Sequence, residues 1–270
     1  MKLKQLQEMV TRGEKVAMLT CYDATYAKLM EATGVDILLV GDSLGMVLQG
    51  FDNTLQVSMA AMIYHTEMVA RGCSQPFIMA DMPYGSYENN PQLAYRNAAK
   101  LIAAGAHMVK LEGGGLMIET VNYLAKRDIP VCAHLGFTPQ SVHQLGGYKI
   151  QGKTVQQAQQ ILSDAQLMSE AGAGFVLLEM VPATLAKQIT EHIKTPTIGI
   201  GAGVDCSGQV LVLQDLLGIY TGVADKNPNE HKSPRFVKNF LADTGSIQEA
   251  VTNYVQAVKN NTFPAPEHSY

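Results

Sequence analysis

The chain has 270 residues, of which 47% are hydrophobic and 16% charged, with a net charge of −4. That share of apolar residues supports a large buried core, and the length suits one large α/β domain. A mildly acidic surface attracts neither nucleic acid nor an anionic membrane, so both are excluded as main partners. No apolar run is long enough to cross a bilayer, and residues 1–15 lack an apolar signal core; a cytoplasmic location is expected. Cys21, Cys73, Cys132 and Cys206 lie far apart with no CxxC spacing, which predicts reduced, mostly buried thiols and no zinc site.

Short apolar runs alternate with amphipathic ones. A short helix opens the chain. Val16–Thr20 reads as a strand, and Asp23 caps a helix over Ala24–Thr33 that stops at Gly34. Ile37–Val40 is a second strand running into Gly-Asp-Ser, followed by a loop over 44–56 and a helix over 58–71. A third strand covers 77–80, ending in Asp-Met-Pro-Tyr-Gly, and a helix covers 90–104. The fourth strand, Met108–Glu112, carries Lys110 and Glu112 on one face, because residues two apart in a strand point the same way. A helix follows over 116–127, then a fifth strand over 130–133 running into His134, and a long polar loop with Gly146, Gly147 and Gly152. Helix 154–170, strand 175–178 ending at Glu179, helix 183–193 and strand Thr197–Ile200 continue the alternation. The eighth strand is 209–213, the stretch 234–258 is mostly helical, and the final nine residues are irregular.

Eight β-runs with helices between most of them predict a (β/α)8 TIM barrel in a single domain. The strands are apolar nearly throughout, as strands covered on both faces are. A doubly wound open sheet is the alternative, disfavoured because no GxGxxG opens the first helix.

Polar residues cluster where five consecutive strands end: Asp42 and Ser43, Asp81, Lys110 with Glu112, His134, and Glu179. In a barrel these ends converge on one mouth, where the chemistry of such folds sits. Singly, each has a structural explanation: an aspartate after a strand is a common turn or cap residue, and Lys110 and Glu112 could be a buried ion pair. Five in a row are harder to explain as turns. Carboxylates at 42, 81 and 112 would repel one another, and a hard divalent cation such as Mg²⁺ relieves that. Such a metal would chelate a 2-oxo acid, Lys110 would add charge near the same oxygens, and Glu179, between Leu178 and Met180, would act as a base with a raised pKa. Gly199–Gly203, reading GIGAG, points to close backbone packing or substrate approach without committing to phosphate.

The segments GDSLGMVLQG (41–50), ADMPYGSY (80–87), VKLEGG (109–114), HLGFTPQSV (134–142), LLEMVP (177–182) and IGIGAG (198–203) together resemble ketopantoate hydroxymethyltransferases, in order and over most of the chain. The segment 224–240 also broadly fits. The resemblance implies a barrel of the phosphoenolpyruvate mutase and isocitrate lyase group. It also implies Mg²⁺-dependent transfer of a one-carbon unit from 5,10-methylenetetrahydrofolate to 3-methyl-2-oxobutanoate. On that resemblance Asp42, Asp81 and Glu112 are metal-site residues, and Asp42, Ser43, Asp81 and Lys110 hold the oxo acid. Glu179 is the proton acceptor, and His134 matches a residue of the family's substrate site. Cytoplasmic homo-oligomers, typically decamers, are implied as well. Competing chemistries are a Schiff base on Lys110, a non-catalytic metabolite-binding barrel, and an isocitrate lyase type of lyase, which would need a cysteine on a mobile loop.

Overall fold

Eight parallel strands close on themselves in sequence order, each paired with the next and the last with the first. The computed structural model describes residues 1–220 and 233–270. The strands are β1 Val16–Thr20, β2 Ile37–Val40, β3 Phe77–Asp81, β4 Met108–Glu112, β5 Val131–Gly136, β6 Phe175–Glu179, β7 Thr197–Ile200 and β8 Gly208–Leu211. Almost every strand residue is buried, because the inner face fills the barrel and the outer face meets the helices.

The helices are α1 Leu3–Thr11, α2 Ala24–Thr33, α3 Leu44–Val47, α4 Met59–Gly72, α5 Pro91–Ala103, α6 Met117–Ala125, α7 Val142–Leu145, α8 Val155–Glu170, α9 Ala183–His192, α10 Leu213–Leu216 and α11 Ile247–Lys259. Their starts follow from capping chemistry. Asp23 accepts the amides of Thr25 and Tyr26, and Ser58, Asn90, Thr154 and Ser246 each accept one amide of the first turn. Gly34, with φ 80°, ends α2 in the left-handed region. The last helix, α11, is pinned to the barrel: the Tyr254 hydroxyl donates towards the carbonyls of Met18 (2.7 Å) and Gln209 (2.9 Å), and Lys259 pairs with Asp36.

Three strands run further than their apolar patterns predict. Asp81, His134 and Glu179 lie inside β3, β5 and β6 rather than after them. The eighth strand sits earlier, at Gly208–Leu211, since residue 213 already begins α10. The stretch 234–258 is less helical than expected: residues 234–246 form irregular turns, and the helix starts only at Ile247. The loop after β2 contains the single turn α3, and the loop after β5 contains a 3-10 turn and α7. Residues 224–232 of the family-like segment lie outside the described residues. Among the described residues, no helix is long and apolar enough to cross a membrane.

Candidate active site

Register places the polar groups next to one another. Asp81 pairs with Lys110 across β3 and β4, Glu112 with His134 across β4 and β5, and Gly136 with Glu179 across β5 and β6. Gly136 is required there: its φ is +93°, and a Cβ would stand 2.3 Å from the Glu179 carbonyl oxygen. Asp42, Ser43, Asp81, Lys110, Glu112, His134 and Glu179 all line one cavity of about 560 Å³, so every residue singled out in the sequence comes together. None of the four free cysteines lines it. The GIGAG turn serves close packing: a Cβ on Gly203 would stand 2.6 Å from Ala183 Cβ.

Lys110 is the central cation. Its Nζ stands 3.2 Å from Asp81 Oδ1, 3.8 Å from Glu112 Oε1 and 3.2 Å from His134 Nδ1. Burial works against its charge, but Asp81, Glu112 and Asp42 outweigh burial and raise its pKa. A protonated amine can only donate, so His134 Nδ1 accepts and the imidazole proton sits on Nε2. That nitrogen faces Glu179 Oε2 at 3.2 Å. Burial and the Lys110 charge lower the His134 pKa and keep the ring neutral. Glu179 is raised by burial, and the His134 contact moderates the rise. Burial also pushes Glu112 up to about 7, opposed by Lys110 and by the Gln140 amide. Asp42 is raised by burial and by the charges of Asp81 and Glu112.

Gln140, which strand patterning does not single out, holds the carboxylates in place. Its side-chain amide donates to Asp42 Oδ2 (2.8 Å) and the Met82 carbonyl (3.0 Å), and its backbone amide donates to Glu112 Oε2 (2.9 Å). Its side-chain oxygen accepts the Tyr87 hydroxyl at 2.6 Å. Asp81 Oδ2 accepts the Asp42 amide at 3.0 Å, and Ser43 Oγ shares a hydrogen bond with the Tyr22 hydroxyl at 2.9 Å. The signal in the sequence is that Gln140 belongs to the HLGFTPQSV segment, although it lies on a loop with no periodicity.

The donor chemistry suits a hard cation. Asp81 Oδ1 and Glu112 Oε1 are buried and accept no hydrogen bond, and carboxylate oxygens outnumber the single imidazole, His134, in the lining. Among the described residues, no three His, Cys, Asp or Glu side chains are arranged as a ligand set for one ion. The fit is therefore to an ion such as Mg²⁺, which takes one or two carboxylates and completes its shell with water and substrate oxygens.

The sequence profile of the family described as ketopantoate hydroxymethyltransferase matches residues 1–266. Among curated relatives, the protein named 3-methyl-2-oxobutanoate hydroxymethyltransferase of Nitrosospira multiformis is 59% identical, over 98% of this chain and 97% of its own length. The protein of the same name from Thiobacillus denitrificans is 55% identical, over 99% of this chain and 98% of its own. Solved structures share the architecture at low identity. A phosphonopyruvate hydrolase superposes with a TM-score of 0.61 at 15% identity, covering 78% of this chain and 81% of that one. A 2,3-dimethylmalate lyase, described as a PEP mutase/isocitrate lyase superfamily member, gives 0.57 at 16%, covering 77% and 80%. Whole-length identity of this order leaves one assignment, and the chain belongs to the ketopantoate hydroxymethyltransferase family.

Proposed function

We propose that the protein transfers a hydroxymethyl group from 5,10-methylenetetrahydrofolate to 3-methyl-2-oxobutanoate, giving 2-dehydropantoate, the step that commits carbon to pantothenate. What carries this proposal is the meeting of Lys110, His134 and Glu179 with Asp42, Ser43, Asp81 and Glu112 in one cavity. Of the carboxylates Asp42, Asp81 and Glu112, one or two would hold Mg²⁺ directly, with water and substrate oxygens completing its shell. When bound, Mg²⁺ draws electron density from the carboxylate and keto oxygens of the oxo acid and acidifies the neighbouring carbon. Ser43 and the Lys110 ammonium donate to those oxygens. Glu179 removes the proton from the branched carbon, with His134 Nε2 standing 3.2 Å from its Oε2. Water first cleaves the bonds of the methylene carbon to the two folate nitrogens, which take up the protons and leave as tetrahydrofolate, and the carbon is left as a one-carbon aldehyde. The branched carbon then adds to that aldehyde carbon, and its oxygen takes a proton to become the hydroxyl of the new hydroxymethyl group.

A Schiff base on Lys110 needs a neutral amine, and the three carboxylates around Lys110 hold it charged. The chain is further proposed to work as a cytoplasmic homo-oligomer, with a decamer as the expected assembly.

Loss of the branched-carbon proton of 3-methyl-2-oxobutanoate in D2O, followed by NMR, tests the first half of the chemistry. The wild type with Mg²⁺ should exchange it. Chelation by EDTA, and separately Glu179→Gln, should slow exchange by roughly 10²–10⁴-fold. Unchanged exchange in both cases would remove the metal and the base from the mechanism.

A further inference from the structure

The cavity is larger than a small branched oxo acid needs. About 560 Å³ is in the range that receives a drug-sized ligand. The side chains of the proposed proton transfer come from β3 to β6, with Asp42 and Ser43 just past β2. Another part of the lining is apolar, formed by Ile200 of β7 and Val210 and Leu211 of β8.

Tyr270 and Phe236 join this apolar part of the lining. Both rings close on Gly201, whose lack of a side chain leaves them room: a Cβ there would stand 2.9 Å from the Tyr270 ring and 3.1 Å from the Phe236 ring. The segment that brings Tyr270 here is anchored at several points. The Tyr270 carbonyl accepts the Ala183 amide at 2.8 Å, at the start of α9. Arg235 donates to the Glu267 and Pro266 carbonyls at 2.8 and 3.3 Å, and its guanidinium stands 5.8 Å from the centre of the Tyr270 ring. Phe263 is buried edge-on against Phe240. Tyr270 itself stays half-buried, open to the cavity. Burial raises its phenol pKa, Arg235 opposes the rise, and the charge of Glu179 adds to it.

We propose that Tyr270 and Phe236 form the wall against which the flat heterocycle of the one-carbon donor stacks, so that residues 263–270 select a folate-type carrier over free formaldehyde. The proposal rests on the function given above. Bond formation requires the donor carbon to reach about 3–3.5 Å from the branched carbon that Glu179 deprotonates. A donor approaching from the apolar part of the lining meets that condition with its ring on an aromatic surface, an arrangement that aromatic pairs favour.

The test compares the wild type with Tyr270→Ala, Tyr270→Phe and Phe236→Leu. Three quantities are measured: tetrahydrofolate affinity by calorimetry with the oxo acid present, KM for the methylene donor, and proton exchange of the oxo acid without donor. Tyr270→Ala and Phe236→Leu should weaken tetrahydrofolate and raise the donor KM about tenfold, equivalent to about 1.4 kcal/mol. Exchange should stay within about twofold of the wild type, which also reports intact folding, and Tyr270→Phe should behave as the wild type. The rate with formaldehyde in place of the folate should be unaffected. Wild-type affinity for tetrahydrofolate in both ring-removing variants overturns the wall, as does a parallel loss of exchange. A wild type that exchanges the proton but binds no tetrahydrofolate overturns the donor assignment itself, and is distinguished by having no affinity to lose.

Discussion

Lys110 and Glu112 face the same interior because they sit two apart in β4, and the barrel gives each a different set of neighbours. Lys110 reaches across to Asp81 and His134, while Glu112 turns to the Gln140 amide. The same neighbourhood sets the pH response of Glu179. Burial holds its pKa above the ordinary carboxylate value, and in the proposed mechanism the ionised form is the base. Proton exchange should therefore rise with pH through that raised value and fall away below it, as a rate profile of the wild type will show. Gln140→Leu removes the donor to Asp42 Oδ2 and the acceptor for Tyr87 while leaving the backbone amide to Glu112. Asp42 Oδ2 then loses its donor, while the Tyr87 hydroxyl keeps only the Glu112 backbone, and chemical denaturation should show a loss of roughly 1–3 kcal/mol. The charged site residues are legible in the sequence because a charge inside an apolar strand is conspicuous. Gln140 and Tyr270 are not, since each lies outside the strand pattern, and only long-range packing brings Gln140 to the Asp42 and Glu112 carboxylates and Tyr270 to the cavity.

At the level of elements, capping chemistry and apolar runs locate every strand and most helices. Apolar runs end β3, β5 and β6 too early because Asp81, His134 and Glu179 interrupt the hydrophobic pattern. In the structure the backbone pairing continues through them, and only the inward side chain changes character. The structureless span 233–246 is misleading in the opposite way: Phe236 and Phe240 resemble one face of a helix but pack as separate anchors. Gly136 is the backbone counterpart of the site. With φ +93° and the Glu179 carbonyl so close, Gly136→Ala should destabilise the β5–β6 pairing by about 2 kcal/mol or more, read from the urea midpoint. Tyr254→Phe should lose about 1 kcal/mol, because α11 gives up its hydroxyl contact with β1 and β8.

Across the whole molecule the cavity carries an excess of negative charge. Lys110 is the lone ammonium in its described lining, facing Asp42, Asp81, Glu112 and Glu179. Without a cation, Glu112 titrates at about 7 in the fold against 4.5 ordinarily. Between those values the folded protein retains a proton that the unfolded chain has released, so stability should fall as pH rises through this window. Mg²⁺ at about a hundred times its Kd should restore roughly 2.7 kcal/mol at pH 8, visible as a higher Tm than in EDTA. Closure into a barrel is itself legible in the alternation of eight β-runs with helices, whereas the presence of Tyr270 in the cavity lining depends on contacts that no local pattern encodes. The most direct measurement is product formation from 3-methyl-2-oxobutanoate and 5,10-methylenetetrahydrofolate, with Mg²⁺ or EDTA, for the wild type and Glu179→Gln. The expected result is 2-dehydropantoate from the wild type with Mg²⁺ and none above background from the other combinations. No product from the Mg²⁺-loaded wild type, or equal product from Glu179→Gln, would contradict it.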